Sequence, residues 1–191
     1  QRAEIERRLG EWCHAHPSAT ATVLRPAPVV GGDERSSWLA RALHAARRVA
    51  DIEGDPPAQF LHVDDLAAAV ALAATARLEG ARNVAPDGWL RGAEYTALDA
   101  GTPKVRLPTP VGDRVSRLGW RLRLAPTPPG LVPYARHPWV VANDRLRADG
   151  WEPQHSNEEA FVAGTPATTL ATLSPRRRQE LALGISGGAV V

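Results

Sequence analysis

The sequence contains no methionine, one cysteine, one lysine, two tyrosines and two phenylalanines. A single cysteine cannot form an internal disulfide, which favours a reducing compartment, so we expect a cytoplasmic protein. Because a cytosolic translation product begins with methionine, a chain that starts at Gln1 and contains none is expected to be a fragment or a processed product. The apolar run Leu66–Ala76 is far shorter than the ~20 residues that span a bilayer, so no membrane partner is expected.

Positive and negative charges are nearly balanced, with 23 basic and 21 acidic residues and a formal net charge of +2. So small an excess argues against a basic nucleic-acid-binding face. The run Arg176–Arg178 opens a predicted helix capped by Ser174, and it is typical of a solvated face because no aromatic platform accompanies it. With 43% apolar residues the chain has the composition of a globular protein, and no nucleic-acid partner is expected.

Periodicity predicts alternating helices and strands. An amphipathic helix over residues 2–15 is followed by a buried strand within Ala19–Val30. The other predicted strands are Gln59–Val63, Arg82–Ala85 and Lys104–Leu107, and the other predicted helices before the tail are Trp38–Val49, 64–78, Gly92–Ala100, Val111–Leu124, Asn143–Asp149 and Ser156–Ala163. The prolines between residues 126 and 138 predict an irregular stretch. This alternation predicts an α/β fold with a parallel sheet, and its strands are too few for a closed domain.

Three segments together carry a family pattern. They are Arg2–Arg7 followed by Leu24–Gly31, then Gln59–Ala67 followed by Arg82–Ala85, and finally Asp144–Pro153 with its Gly-Trp-Glu-Pro ending. In order and spacing they resemble the carboxyl-terminal portion of the extended short-chain dehydrogenase/reductase family, the NAD-dependent epimerase/dehydratase group.

The resemblance implies the last elements of a Rossmann-like parallel sheet with a smaller α/β substrate-binding portion. On this reading, residues 1–164 form the family-like part. Residues 1–31 and 58–80 lie on its Rossmann side, and the remainder lies mostly on its substrate side. Residues 165–191 are expected to be a tail with a short helix.

The catalytic pair of such enzymes is Tyr-x-x-x-Lys, and the resemblance aligns its lysine with Arg2. The tyrosine is expected before Gln1, because Tyr95 and Tyr134 are not followed by a lysine at the required spacing. Arg2 keeps the positive charge but differs from lysine in shape, so it is a candidate both for catalysis and for holding the cofactor ribose. The Gly-rich phosphate loop is also absent, so the isolated chain is predicted to be inactive.

The resemblance further implies that Pro26 and Val29 are neighbours of an NAD or NADP nicotinamide, and that Pro28 and Gln59 contact the substrate. An equally open interpretation is that the prolines simply form a rigid loop that ends a strand. Nucleotide-sugar epimerases commonly carry an arginine where this chain has Ala58, which weakens the case for a diphosphate-containing substrate.

Several titratable residues have structural interpretations. His62 is predicted to be a core histidine bonded to backbone, and Asp64 or Asp65 is predicted to cap the following helix. His14 and His16 point in different directions on a helix, so no metal site is expected.

The sequence therefore predicts part of an NAD(P)-dependent oxidoreductase, isomerase or dehydratase with a small-molecule substrate. The alternative is a non-catalytic dinucleotide-sensing or partner-binding module on the same fold, motivated by Arg2 and Ala58. The sequence is compatible with a homodimer and does not define its surface.

Overall fold

The computed structural model describes residues 2–31, 38, 42–43, 46, 56–98, 107–124 and 127–164. In chain order its elements are α1 (Arg2–Ala15), β1 (Thr22–Pro26), β2 (Val29–Val30), β3 (Leu61–His62), α2 (Val63–Thr75), β4 (Gly80–Val84), α3 (Gly92–Leu98), α4 (Thr109–Arg121), a 3-10 helix (Pro129–Leu131), α5 (Val132–Arg136), α6 (Asp144–Ala148) and α7 (Asn157–Gly164). Helices alternating with parallel strands confirm the predicted α/β class. The predicted elements Trp38–Val49 and Lys104–Leu107 lie mostly outside the described residues, and the tail 165–191 lies wholly outside them.

The single strand predicted within Ala19–Val30 is in fact two strands in different sheets. β1 pairs in parallel with β4 and ends with Pro26 opposite Val84, whereas β2 pairs in parallel with β3. Pro28 lies in the break, where it has no amide hydrogen to donate to a ladder. Its carbonyl still accepts the Leu61 N–H at 3.0 Å, which links the break to β3.

The helix after β3 begins at Val63, and its cap differs from the prediction. His62 Nδ1 accepts the Asp64 N–H at 3.2 Å, so the imidazole satisfies a first-turn amide. The prediction that Asp64 or Asp65 caps the helix is therefore wrong, while the predicted hydrogen bond of His62 to backbone is confirmed. Both aspartates lie in the first turn, where the helix dipole favours negative charge.

Asp65 instead ties the start of α2 to the loop before α7. Its side chain is almost fully buried, and its Oδ1 accepts the Gln154 N–H at 2.9 Å. Its Oδ2 accepts the His155 N–H at 3.1 Å, and its backbone carbonyl accepts the Trp151 indole N–H at 3.2 Å. One residue thus orders a loop that is distant in sequence.

Among the described residues, buried apolar side chains form two core clusters. One packs Leu61 and Val84 of the two sheets against α2 and includes Leu146 and Trp151. The other centres on three aromatic rings, Phe60, Tyr95 and Phe161, whose centroids lie 5.0 to 6.1 Å apart. Such aromatic clusters contribute both buried area and favourable ring geometry.

The proline-rich stretch is more regular than predicted, because it contains the 3-10 helix and α5. Pro129 and Pro133 occupy the first turns of these elements, where a missing amide hydrogen breaks no helical bond. The predicted capping box of α7 is confirmed, since Ser156 N–H donates to Glu159 and Glu159 N–H donates back to Ser156 Oγ. Among the described residues, no helix is both long and apolar enough to cross a membrane.

Helix α1 is amphipathic as predicted, but its apolar face is open. Ile5 is 65% exposed and Trp12 is 48% exposed. The helix is joined to β1 by an ion pair between Glu6 and Arg25, whose hydrogen bonds lower the pKa of the Glu6 carboxyl. This exposed pair orients α1 on β1 without covering its apolar side.

Replacing Asp65 with alanine should lower the free energy of unfolding by about 3 kcal/mol, because two partly buried backbone amides would lose the buried carboxylate that accepts from them. The matched change Asp64→Ala should cost at most about 1 kcal/mol, since that side chain is 73% exposed. Urea denaturation of each variant would measure its free energy of unfolding. A chelator in the buffer keeps metal ions from adding to the stability. Equal losses in the two variants would contradict the anchoring role of Asp65.

Candidate functional site

Two residues predicted to contact substrate, Pro28 and Gln59, line one open, shallow pocket. Pro28 follows the last residue of β1 by two positions, so the pocket lies beyond the carboxyl end of that strand. Open α/β sheets bind their ligands at this end of the strands. Further walls come from Ala58, Phe60, Tyr134 and Trp139.

The rim of the pocket is aromatic. The rings of Tyr134 and Trp139 lie 5.0 Å apart and are inclined by 43°. Tyr134 is 50% exposed, and its hydroxyl makes no hydrogen bond within the described part of the chain. None of the described residues that line the pocket carries a charge. Such a lining suits an uncharged ring more than a phosphate.

Gln59 is buried, and its amide is already bonded to the protein backbone. Its Nε2 donates to the carbonyls of Gly88 and Val141 at 2.8 and 3.2 Å, and its Oε1 accepts the Val141 N–H at 2.8 Å. These bonds hold the turn at Gly88 and the segment before α6 against the pocket. The geometry gives Gln59 a structural role, and its contact with substrate stays a prediction.

The family resemblance aligns Ala58 with a position where nucleotide-sugar epimerases commonly carry an arginine. Its backbone exchanges two hydrogen bonds with Leu90, at 2.9 and 2.8 Å, and its methyl group is buried in the pocket wall. Ala58 therefore contributes an apolar surface to the pocket wall and no charge. A diphosphate at this wall would lack the bidentate cation that such groups favour.

Two of the predicted cofactor neighbours, Pro26 and Val29, lie at the end of β1 and the start of β2. Pro26 is exposed at the last position of β1, and Val29 is half-buried at the first position of β2. Arg2 begins α1, and its side chain lies outside the described part of the chain. The cofactor roles of these three residues stay predictions. No described strand pairs with the second edge of β1, which has β4 on its other side.

A second pocket of about 350 Å³ lies between α4 and α5, and no sequence pattern indicated it. There Arg136 pairs with Asp113 at 2.8 Å, and Arg117 and Ser116 complete part of the wall. The Arg136 Nε is buried without a hydrogen-bond partner among the described residues. This pocket differs from the first in being charged.

Tyr134 and Trp139 were not identified as site residues from sequence, because Tyr134 lies in a stretch predicted to be irregular and Trp139 directly follows it. A further group, His62, Asp64 and His155, offers three ligand atoms that all lie within 4.8 Å of one another. The histidines that local spacing suggests for a metal are His14 and His16 alone. His155 could not have been placed beside His62 from such spacing.

The chain is similar in structure to several solved epimerases. It matches the UDP-glucose 4-epimerase of Thermus thermophilus in complex with NAD at 21% identity and a TM-score of 0.55. It matches the Thermotoga maritima UDP-glucose 4-epimerase with UDP-glucose at 19% identity and a TM-score of 0.52. It matches the Methanobrevibacter ruminantium UDP-N-acetylglucosamine 4-epimerase in complex with UDP-N-acetylmuramic acid at 16% identity and a TM-score of 0.53.

Each of these three matches covers 85% of this chain and 50% of the other, so the chain spans about half the length of the epimerases it matches. No protein-family model matches the sequence, and no curated protein does. At such low identities the likeness concerns the fold, and function has to be argued from the site. The chain therefore has the α/β fold of about half of each of these epimerases.

Proposed function

We propose that this chain forms the substrate-pocket wall of an NAD(P)-dependent oxidoreductase, epimerase or dehydratase of the extended short-chain dehydrogenase type. The observation that carries the proposal is the pocket beyond the carboxyl end of β1, in which Pro28 and Gln59 lie together. The fold likeness to epimerases supports the same assignment. We further propose a cytoplasmic location and a small-molecule substrate.

The proposal assigns the catalytic tyrosine and the phosphate-binding loop to a larger protein. One edge of β1 is covered by no described strand, which supports this assignment because a Rossmann sheet would continue there with further parallel strands. In this arrangement residues 1–31 and 58–80 form the Rossmann side, and most of the other described residues up to Gly164 lie on the substrate side. The open apolar face of α1, with Ile5 and Trp12, is available for a homodimer contact.

The cofactor of the proposed enzyme is NAD or NADP. Pro26 and Val29 present a rigid, uncharged surface at the end of β1, which fits the nicotinamide end of a dinucleotide. Arg2, at the lysine position, would donate hydrogen bonds to ribose hydroxyls. When bound, the nicotinamide exchanges a hydride with a substrate carbon. The chain's own part is to orient the substrate and exclude water beside it.

The substrate we propose is an uncharged molecule that contains a ring. Tyr134 and Trp139 offer aromatic faces at the rim, and Ala58 removes the charge that a diphosphate would require. The Thermotoga enzyme was crystallised with UDP-glucose, which does carry a diphosphate. We therefore expect the two proteins to differ in substrate class.

A non-catalytic sensing or partner-binding module is the second candidate, and Ala58 together with Arg2 favours it. The enzyme and the module can be distinguished by one residue of a longer parent sequence, the one four positions before Arg2. A tyrosine there supports the enzyme, because it would restore the proton donor. A residue without an ionisable hydroxyl supports the module.

The purified 191-residue chain should show no hydride transfer with NAD or NADP and UDP-glucose, and little affinity for either dinucleotide. The reason is that it has no Gly-rich loop for the pyrophosphate and no tyrosine four residues before the lysine position. Calorimetric titration would measure dinucleotide affinity, and NMR of the sugar would measure epimerisation of UDP-glucose, which leaves no net reduced nicotinamide. A full-length UDP-glucose 4-epimerase is the positive control for both. Robust turnover by the chain alone would refute the assignment of catalytic parts elsewhere.

The aromatic rim can be tested with phenyl β-D-glucoside as a probe, observed by saturation-transfer NMR. Tyr134→Ala should weaken its binding roughly two- to tenfold, because an aromatic contact contributes about 0.5–1.5 kcal/mol. Trp12→Ala is the matched control, since Trp12 is similarly exposed and does not line the pocket. UDP-glucose should bind no more tightly than the probe. Equal binding by both variants, or a strong preference for UDP-glucose, would contradict the proposed substrate class.

A further inference from the structure

A cluster of metal-ligating side chains lies where α2 begins and the loop before α7 passes over it. His62 precedes the helix, Asp64 lies in its first turn, and His155 comes from the loop. One nitrogen of each imidazole and one oxygen of Asp64 all lie within 4.8 Å of one another. The cluster is distinct from the proposed substrate pocket, whose lining includes none of these residues.

The orientation of the His155 ring is fixed by a buried carboxylate. Its Nδ1 lies 3.2 Å from Asp65 Oδ2, and the Asp65 side chain is only 2% exposed. An ionised carboxylate can only accept, so Nδ1 carries the proton and Nε2 keeps a free lone pair. A carboxylate on the far nitrogen fixes the ring and raises its basicity, which is how proteins prepare histidines for metals.

His62 and Asp64 supply two donors at a suitable separation. The Asp64 N–H donates to His62 Nδ1, so this nitrogen also has a lone pair and no proton. His62 Nδ1 lies 3.5 Å from Asp64 Oδ2. Tetrahedral coordination with bonds of about 2.0–2.2 Å separates two ligand atoms by roughly 3.3–3.6 Å. Asp64 is 73% exposed and can move to complete the geometry.

The local charge also favours a cation. Asp64 and Asp65 lie in the first turn of α2, and together they carry about two negative charges when ionised. The helix amino terminus opposes them with only about half a positive charge. The mixture of imidazole and carboxylate donors suits zinc or a similar divalent transition ion more than Mg²⁺, which prefers oxygen ligands alone.

We propose that His62, Asp64 and His155 bind a divalent transition metal ion of the zinc class, with water in the remaining position. His155 and Asp64 are both partly exposed, which leaves the site open to solvent. Coordination replaces the Asp64 N–H bond to His62 and separates the two imidazoles, which are now stacked 3.9 Å apart. The ion then cross-links the start of α2 to the loop before α7. This site goes beyond the proposed function and does not depend on it.

The test uses the untagged 191-residue chain, stripped of metal with a chelator and titrated with ZnCl₂ in a calorimeter. We expect one equivalent to bind and to raise the melting temperature, and Co²⁺ to give visible absorption bands of a low-coordinate site. Asp64→Asn and His155→Ala should each weaken Zn²⁺ binding about tenfold or more. His137→Ala should not change it, because His137 is exposed and lies outside the cluster.

Circular dichroism of each variant separates loss of binding from loss of folding. If His155→Ala fails to fold, Asp64→Asn decides the question, because that side chain is largely exposed and its loss should leave the fold intact. The proposal is overturned if Zn²⁺ gives no saturable binding. It is equally overturned if the folded variants bind as tightly as the unmodified chain, since other histidines would then hold the ion.

Discussion

The buried carboxylate of Asp65 is the interaction on which the arrangement of the carboxyl-terminal elements depends. It accepts two backbone amides of the loop before α7, and its own carbonyl accepts the Trp151 indole. A buried carboxylate needs hydrogen-bond donors, so the loop that supplies them is fixed to the start of α2. As a result Trp151 joins the core beside Leu61, and Asn157 reaches Phe60, whose N–H donates to its Oδ1 at 3.2 Å.

This anchoring extends to the candidate substrate pocket. Asn157 also donates to the Asp87 carbonyl, and Gln59 donates to the neighbouring Gly88 carbonyl. The pocket floor at Gln59 and Phe60 is therefore fixed by buried hydrogen bonds from several elements. The rim, by contrast, is formed by the exposed ring of Tyr134. Selection among ligands would then fall mainly on the rim, because the floor has few polar atoms left to offer.

Features that depend on neighbouring residues were predictable from the sequence. The capping box of Ser156 and Glu159 is one example, since both partners lie within one helical turn. The cap of α2 was mispredicted because aspartate is statistically the better cap, whereas here Asp65 is used by a distant loop. The break at Pro28 was missed because a continuous apolar run does not reveal a change of sheet.

The sequence by itself determined the alternation of helices and strands and the three segments that resemble the epimerase/dehydratase group. It also determined where the chain differs from that group's pattern, at Arg2 and Ala58. Only the tertiary structure decided that Pro28 and Gln59 share a pocket with Tyr134, and that the Gln59 amide is committed to backbone. It also decided that His62 meets His155. The physical reason is that periodicity and caps act within a few residues, whereas these contacts join segments that only packing of the core brings together.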